Sequence, residues 1–282
     1  MAAAVSIASE LGLKADDAVL LQNSNNLAIR LLPCDVMARV APAGRNVAPF
    51  EVALALSLAA TEGPVAALEP RVAPRTYERD GFVVTLWTYY PSEAPVAPDD
   101  YANALRRMHA GMATLDVATP HFMDRVTEAQ QIVANRGLSP GVADADRALV
   151  GEMLRQLGRR IVERGAAEQL LHGEPHPGNV LCAKDGPVFI DLETCCRGPV
   201  EFDLAHAPAE VARHYPGADP ELLSLCRHLV LAMVTAWRWE ATDQFPNRAR
   251  VTRELVSTLR KGPPWPTLDA MMGGISRQPQ EP

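Results

Sequence analysis

The sequence predicts an α+β fold in two lobes, a β-rich lobe over residues 1–90 and a mainly helical lobe over residues 91–282. Three observations carry this. Strand-like apolar runs crowd the first 90 residues, helical apolar periods fill most of the remainder, and one hairpin pattern interrupts the helices near residues 180–190. Strands first and helices after is the order of an α+β chain rather than of an alternating parallel-sheet fold.

Residues 18–21 and 27–32 read as strands joined by the polar turn Gln22-Asn23-Ser24-Asn25-Asn26, and residues 36–40 as a third strand. Residues 50–60 are rich in good helix formers and are stopped by Gly63 and Pro64. Another strand is expected over residues 81–87, then a proline-rich link through residues 90–98. A helix starts near Asp99, whose acid suits the positive end of a helix dipole, with Tyr101, Leu105, Met108 and Met112 on one face. Residues 144–163 repeat the pattern through Leu149, Met153, Leu154, Leu157 and Ile161, and residues 222–237 form a third helix. No internal repeat is visible, and residues 273–282 read as a loose tail.

The most informative segment is Leu171-His172-Gly173-Glu174-Pro175-His176-Pro177-Gly178-Asn179-Val180-Leu181, followed by Val188-Phe189-Ile190-Asp191-Leu192-Glu193. Lys184-Asp185-Gly186 is a turn signal between two apolar runs, so the segment folds back as a hairpin. That hairpin brings Asn179 and Asp191 to one end, with Glu174 on the loop beside them. A carboxylate, a carboxamide and a second carboxylate are what phosphoryl transfer uses: an acid to orient a hydroxyl, and two oxygen donors to hold Mg²⁺ on nucleotide phosphates.

Bulk properties agree. Charged residues make up 22% and hydrophobic residues 48% of the 282, the balance of an ordinary globular protein. No apolar run reaches the ~20 residues of a membrane span, and the N-terminus lacks the basic start of a signal peptide. Five cysteines without a Cys-x-x-Cys spacing suit reduced thiols in a cytoplasm, and Cys195 and Cys196 read as packing residues. A net charge of −7 disfavours nucleic acid as a partner and is compatible with a cationic small molecule.

The order His-x-acid-x4-Asn, then two apolar residues and Asp191, resembles the protein kinase-like fold. The form His172-Gly173-Glu174-x-His176-Pro177-Gly178-Asn179-Val180-Leu181 resembles the aminoglycoside phosphotransferase family and its small-molecule kinase relatives, as does Gly198-x4-Asp203-Leu204-Ala205. The strong resemblance covers residues 171–205, with weaker matches over roughly residues 15–240. It implies a phosphotransferase that moves the γ-phosphate of ATP or GTP to a hydroxyl of a small polar molecule, most directly an aminoglycoside-type antibiotic. The alternatives are a metabolic kinase acting on choline, a methylthio-sugar or a homoserine-like alcohol, and a catalytically silent nucleotide-binding relative.

The resemblance also distributes roles. Residues 1–90 become the nucleotide-binding lobe and residues 91–282 the lobe of the catalytic loop and substrate helices. Glu174 falls at the catalytic-base position, where the family normally has Asp, and Asn179 and Asp191 at the metal positions. His172 and Asp203 correspond to residues that brace the catalytic loop. Arg39 stands where the third strand usually offers a phosphate-binding Lys, with Glu51, twelve residues on, as its bracing partner. Ser24 lies in the turn that would cover the phosphates, a turn without glycine. Glu193 would touch a second Mg²⁺ or a cationic substrate, or else is a solvated loop carboxylate. Glu201, Glu210, Glu240 and Asp243 are acidic candidates for the substrate pocket, and Trp237 and Trp239 are pocket or core residues.

Overall fold

A computed structural model describes residues 1–23, 26–44, 47–92, 94–245 and 247–271. The chain divides into two compact units, residues 1–117 with 178–194, and residues 118–177 with 195–282. The α+β composition is as the sequence predicts, with the strands gathered early and the helices late. Helix residues 98–112 and the ribbon after residue 178 pack with the sheet rather than with the later helices.

The first unit is built on a five-stranded sheet. Its strands are β1 (Ala15–Asn23), β2 (Leu27–Pro33), β3 (Val36–Pro42), β4 (Tyr77–Arg79) and β5 (Phe82–Thr88), in the spatial order β1-β2-β3-β5-β4. All the pairings are antiparallel. Alternation decides which face each side chain joins. Ile29 and Leu31 on β2, Val36, Ala38 and Val40 on β3, and Val84 and Leu86 on β5 form one buried face. That face is covered by a helix the sequence reading lacks, α1 (Ala2–Glu10), through Ala4, Ile7 and Ala8.

The opposite face carries Met37 and Arg39. Ala28 lies across from Arg39 on β2, and Trp87 lies across from Met37 on β5. Thr85 faces Arg39 and accepts the Trp87 indole N–H at 2.8 Å, which fixes the ring on that side. Helix α2 (Val47–Leu58) and helix α3 (Pro98–Met112) complete the unit.

The hairpin forms in the same unit as β6 (Val180–Ala183) and β7 (Gly186–Phe189), with Val180 opposite Phe189 and Ala183 opposite Gly186. Gly186 has a φ of 116°, a conformation glycine adopts without steric cost, and this closes the turn. The Ile190 N–H donates to the Asn179 carbonyl at 3.0 Å, which carries the pairing one step beyond the strands. Phe189 is fully buried, packs edge-on against Tyr101 of α3 with ring centroids 5.8 Å apart, and exchanges backbone bonds with Pro64 and Ala66. The ribbon is thereby locked to the sheet unit on both sides.

The second unit is helical. Helices α4 (Phe122–Ala134), α5 (Asp144–Glu163), α6 (Val200–His206), α7 (Pro220–Trp237) and α8 (Arg248–Arg260) pack around α7, which is buried along most of its length. The Asp219 carboxylate accepts the Glu221 and Leu222 N–H groups at the start of α7, the expected N-cap. A short pair, β8 (Gln169–Leu171) with β9 (Cys196–Gly198), brings Leu171 opposite Cys196 and Gln169 opposite Gly198. Cys195 and Cys196 are buried, and burial pushes the Cys196 thiol up to about 12, so both serve as packing. No helix among the described residues is long and apolar enough to cross a membrane.

Gly198 opens the Gly-x4-Asp-Leu-Ala segment for a steric reason. A Cβ there would lie 2.9 Å from the Phe122 ring and 3.2 Å from Leu171 Cδ1, both in the core beneath β8. Gly198→Ala is therefore expected to destabilise the protein by about 1–3 kcal/mol through overpacking. The check is urea denaturation, with the midpoint falling and the slope unchanged.

Candidate functional site

Arg39 organises the first unit's polar face. Its guanidinium meets Glu51 Oε1 of α2 at 2.5 Å, Asp191 Oδ1 at 3.1 Å and Glu193 Oε2 at 3.4 Å. The proposed bracing partner and the proposed metal aspartate thus share one cation. Arg39 is 14% exposed and Glu51 4%, so this is a largely desolvated cluster. Burial draws the Arg39 guanidinium down, but the three carboxylates outweigh it and raise it above its ordinary value. Burial also pushes Glu51 up to about 8, with Asp191 and Glu193 adding to the rise against the pull of Arg39. Even with Glu51 protonated, the Asp191 and Glu193 carboxylates outnumber the one guanidinium, an excess of negative charge that further cations would relieve.

Glu193 is not a solvated loop carboxylate. Besides Arg39 it accepts the Asn26 Nδ2 hydrogen bond at 3.0 Å, tying the end of the 22–26 turn to the strand end below it. Ser24 lies outside the described residues. Asp191 has a φ of 66°, a left-handed conformation that Asp tolerates better than most residues.

Asn179 and Asp191 line one cleft of this unit with Arg39, Ala28, Met37 and Trp87. The cleft is open to solvent, with about 600 Å³ of non-atom space when that open solvent is included. Its lining is part polar, with a carboxamide, a carboxylate and a guanidinium, and part apolar, with Ala28, Met37 and Trp87. No group of three or more His, Cys, Asp and Glu suited to a metal ion occurs among the described residues. A carboxylate and an amide oxygen alone fit Mg²⁺ well, because Mg²⁺ takes few protein ligands and fills its shell with phosphate oxygens and water.

The second unit holds the loop with Glu174. Asp203 of α6, fully buried, accepts the His172 N–H at 2.9 Å and the Gly173 N–H at 2.7 Å. The Glu174 N–H reaches His172 Nδ1 at 3.4 Å. Gly173 has a φ of 86°, so the tight course of this loop needs glycine. The bracing pair expected from the sequence is together, through the loop's backbone N–H groups.

Sequence reasoning missed Arg125. Its Nη1 donates to the Gly173 carbonyl at 2.8 Å, its Nη2 lies 3.3 Å from Glu174 Oε2, and its Cζ sits 4.9 Å above the Trp237 ring. The signal was present in Phe122, Val126, Ala129 and Val133, a helical stripe that defines α4 and places Arg125 beside it. Burial raises the Glu174 carboxyl, but Arg125, His206 and His176 overcome it and hold the group below the usual carboxylate range. Glu174 is accordingly ionised at neutral pH. Among the acidic pocket candidates, Glu201 is buried and accepts the Asp219 N–H at 2.8 Å, and Asp243 pairs with Arg238 at 3.3 Å. Trp239 is core, while Trp237 stacks on Arg125.

An antiparallel sheet whose third strand offers a cation to a helix carboxylate, a ribbon ending in Asn and Asp, and a helical unit with a braced His-Gly-acid loop define a protein kinase-like fold. More particularly, the chain belongs to the phosphotransferase enzyme family, whose sequence profile matches residues 34–225. No curated protein sequence matches it significantly. Solved structures do. An amicoumacin kinase in complex with AMP-PNP and Ca²⁺ aligns with a TM-score of 0.66 at 11% identity, covering 94% of this chain and 96% of that one. A choline/ethanolamine kinase family protein from Mesorhizobium loti gives 0.62 at 16% identity, over 92% and 96%. An aminoglycoside phosphotransferase from Streptomyces rimosus gives 0.58 at 18% identity, over 80% and 95%. Likeness at these identities shows the fold.

The charge state of Glu51 is open to a direct check. Its folded-state value lies above the ordinary 4.5, so the folded protein takes up the proton more readily than the unfolded chain. That contribution favours folding at low pH and is lost as pH rises through about 8. Glu51→Gln cannot ionise, so its stability relative to wild type should increase from near pH 4.5 until it levels off above about pH 8. Denaturant midpoints of the two proteins over that range would measure it, and a constant difference would refute the raised value.

Proposed function

We propose that the chain is a Mg²⁺-requiring kinase that moves the γ-phosphoryl group of ATP or GTP to a hydroxyl of a small polar molecule. The observation that carries this reading is the Arg39 cluster, in which one guanidinium joins Glu51 and Asp191 on the wall of a cleft that also holds Asn179. In the reading, residues 1–90 bind nucleotide and residues 91–282 supply the catalytic loop and the acceptor helices.

Each residue has a distinct task. Asn179 and Asp191 would hold Mg²⁺. Bound Mg²⁺ supplies charge neutralisation across the phosphate oxygens, which is most of what catalysis of phosphoryl transfer requires. Arg39, held by Glu51, would clamp phosphate oxygens in place of the usual Lys, using a fork rather than a point charge. Ala28, Met37 and Trp87 form an apolar surface suited to a nucleobase. Asn26 and Ser24 belong to the turn that would donate to phosphate. Glu193 would approach a second Mg²⁺. Glu174, ionised and fixed by the Asp203-braced loop, would accept the proton of the attacking hydroxyl.

The acceptor classes suggested by the family are an aminoglycoside-type antibiotic and, alternatively, a metabolic alcohol. A cytoplasmic setting suits either, since nucleotide triphosphate is found there. Incubation with ATP or GTP, Mg²⁺ and a panel of hydroxyl compounds, read by mass spectrometry, tests transfer. Calorimetry with nucleotide tests binding separately. Nucleotide binding without transfer to any compound would leave a silent nucleotide-binding protein, and absence of both would remove the reading.

Two variants separate the roles. Asp191→Ala should abolish Mg²⁺-dependent nucleotide binding in calorimetry. Glu174→Ala should retain nucleotide binding while kcat falls by about 10²–10⁴, the usual loss for a general base.

A further inference from the structure

The expectation of a cationic acceptor needs acidic groups around the catalytic loop, yet the side chains gathered at Glu174 are mainly basic. Arg125 contacts Glu174 and Gly173 and stacks on Trp237, the last residue of α7. Arg238 follows directly as the C-cap of that helix, with its Cζ 4.3 Å above the Phe245 ring. Glu174 lies within electrostatic range of Arg238.

Of the two guanidiniums, Arg125 is hydrogen-bonded to the loop, whereas Arg238 is poorly satisfied for its burial. The side chains of Arg125 and Arg238 are 15% and 16% exposed. Asp243 Oδ1 is 3.3 Å from Arg238 Nη1, but neither Nη1 nor Nε of Arg238 makes a hydrogen bond among the described residues. His206, 4% exposed and within electrostatic range of Glu174 and Arg125, likewise leaves Nε2 without a partner there. Unmade hydrogen bonds on buried charged groups are costly, and a site keeps them where a ligand completes them. A guanidinium fork matches a carboxylate or phosphate oxygen pair, and stacking on Trp237 and Phe245 holds the two forks flat.

We infer that the acceptor carries an anionic group, carboxylate or phosphate, bound by Arg125 and Arg238 beside Glu174. This rests on the reading of Glu174 as the group that orients the acceptor hydroxyl. The anion also serves that step. It takes over the Arg125 Nη2 that otherwise engages Glu174, freeing the carboxylate for the hydroxyl proton. The substrate class is therefore a hydroxy acid or a phosphorylated polyol, and a polycationic antibiotic is disfavoured by like charge.

The test uses the full chain with Mg²⁺ and a non-hydrolysable ATP analogue for binding, and ATP for turnover. The probes are glycerate against glyceramide, glucose 6-phosphate against glucose, and kanamycin and choline as cations. An acid bound or phosphorylated at least about 10- to 100-fold better than its neutral counterpart supports the inference, since a charge-assisted pair contributes a factor of that order. Which acid is preferred separates carboxylate from phosphate. Arg238→Gln should raise KM for that acid by a similar factor with a smaller change in kcat, and Arg238→Lys should recover part of the loss. Melting temperatures establish that both variants fold. Preference for a cation or a neutral probe, or no acid bound while nucleotide binds, overturns the inference and leaves the kinase reading intact. Absence of nucleotide binding removes the kinase reading instead.

Discussion

The polar face of the first unit depends on one buried guanidinium. Arg39 sits mid-strand on β3, on the face opposite Val36, Ala38 and Val40, so its position is fixed by the hydrophobic register of the sheet. From there it holds Glu51 of α2, Asp191 at the end of the ribbon and Glu193 beyond it. Removing one partner of such a cluster leaves the others uncompensated in a poorly hydrated place, which costs far more than a surface ion pair. Helix, sheet and ribbon are thus held in common register by charge as well as by Phe189 and Tyr101.

In the proposed phosphate-binding role, the same cluster would suit Arg in place of the usual Lys. An ammonium presents a point charge to one or two oxygens, whereas Arg39 reaches Glu51 through Nη1 and both Asp191 and Glu193 through Nη2. In the proposed role, two separate nitrogens would let it hold its helix partner while the other side exchanges carboxylates for phosphate oxygens. A turn without glycine between β1 and β2 fits this arrangement, because Asn26 ties that turn to Glu193 by a side-chain hydrogen bond.

Much of this was legible in the sequence, and the physical reasons differ by element. The helix over residues 144–163 matches α5 at both ends, since its apolar stripe runs unbroken between clear boundaries. Arg39, Glu51, Asn179 and Asp191, expected at one site from their spacing, lie together in the first unit. Helix α1 was missed because an Ala-rich start has weak periodicity. Helices α4 and α8 were missed although Val251, Leu255 and Leu259 repeat at helical spacing in the latter. That omission mattered for α4, which carries Arg125. Of the acidic pocket candidates, Glu201 accepts the Asp219 N–H and Asp243 lies against Arg238, while Arg125 stands next to Glu174.

Glu174 itself shows how the surrounding structure accommodates Glu where the family resemblance places Asp. A longer side chain in place of Asp calls either for a retracted backbone or for a pocket shaped around the extra methylene. The backbone is not free to retract. Asp203 holds the two preceding N–H groups, the Glu174 N–H meets His172, and the Glu174 carbonyl accepts the His176 N–H at 2.8 Å. The extra length is met instead at the carboxylate by Arg125, which is anchored to the same loop at Gly173 and flattened on Trp237. A shorter Asp would fall away from that guanidinium by roughly 1 Å, a displacement that in the proposed catalytic role would cost ~10²-fold in rate. Glu174 and Arg125 therefore form a matched pair, and the identity of one follows from the placement of the other.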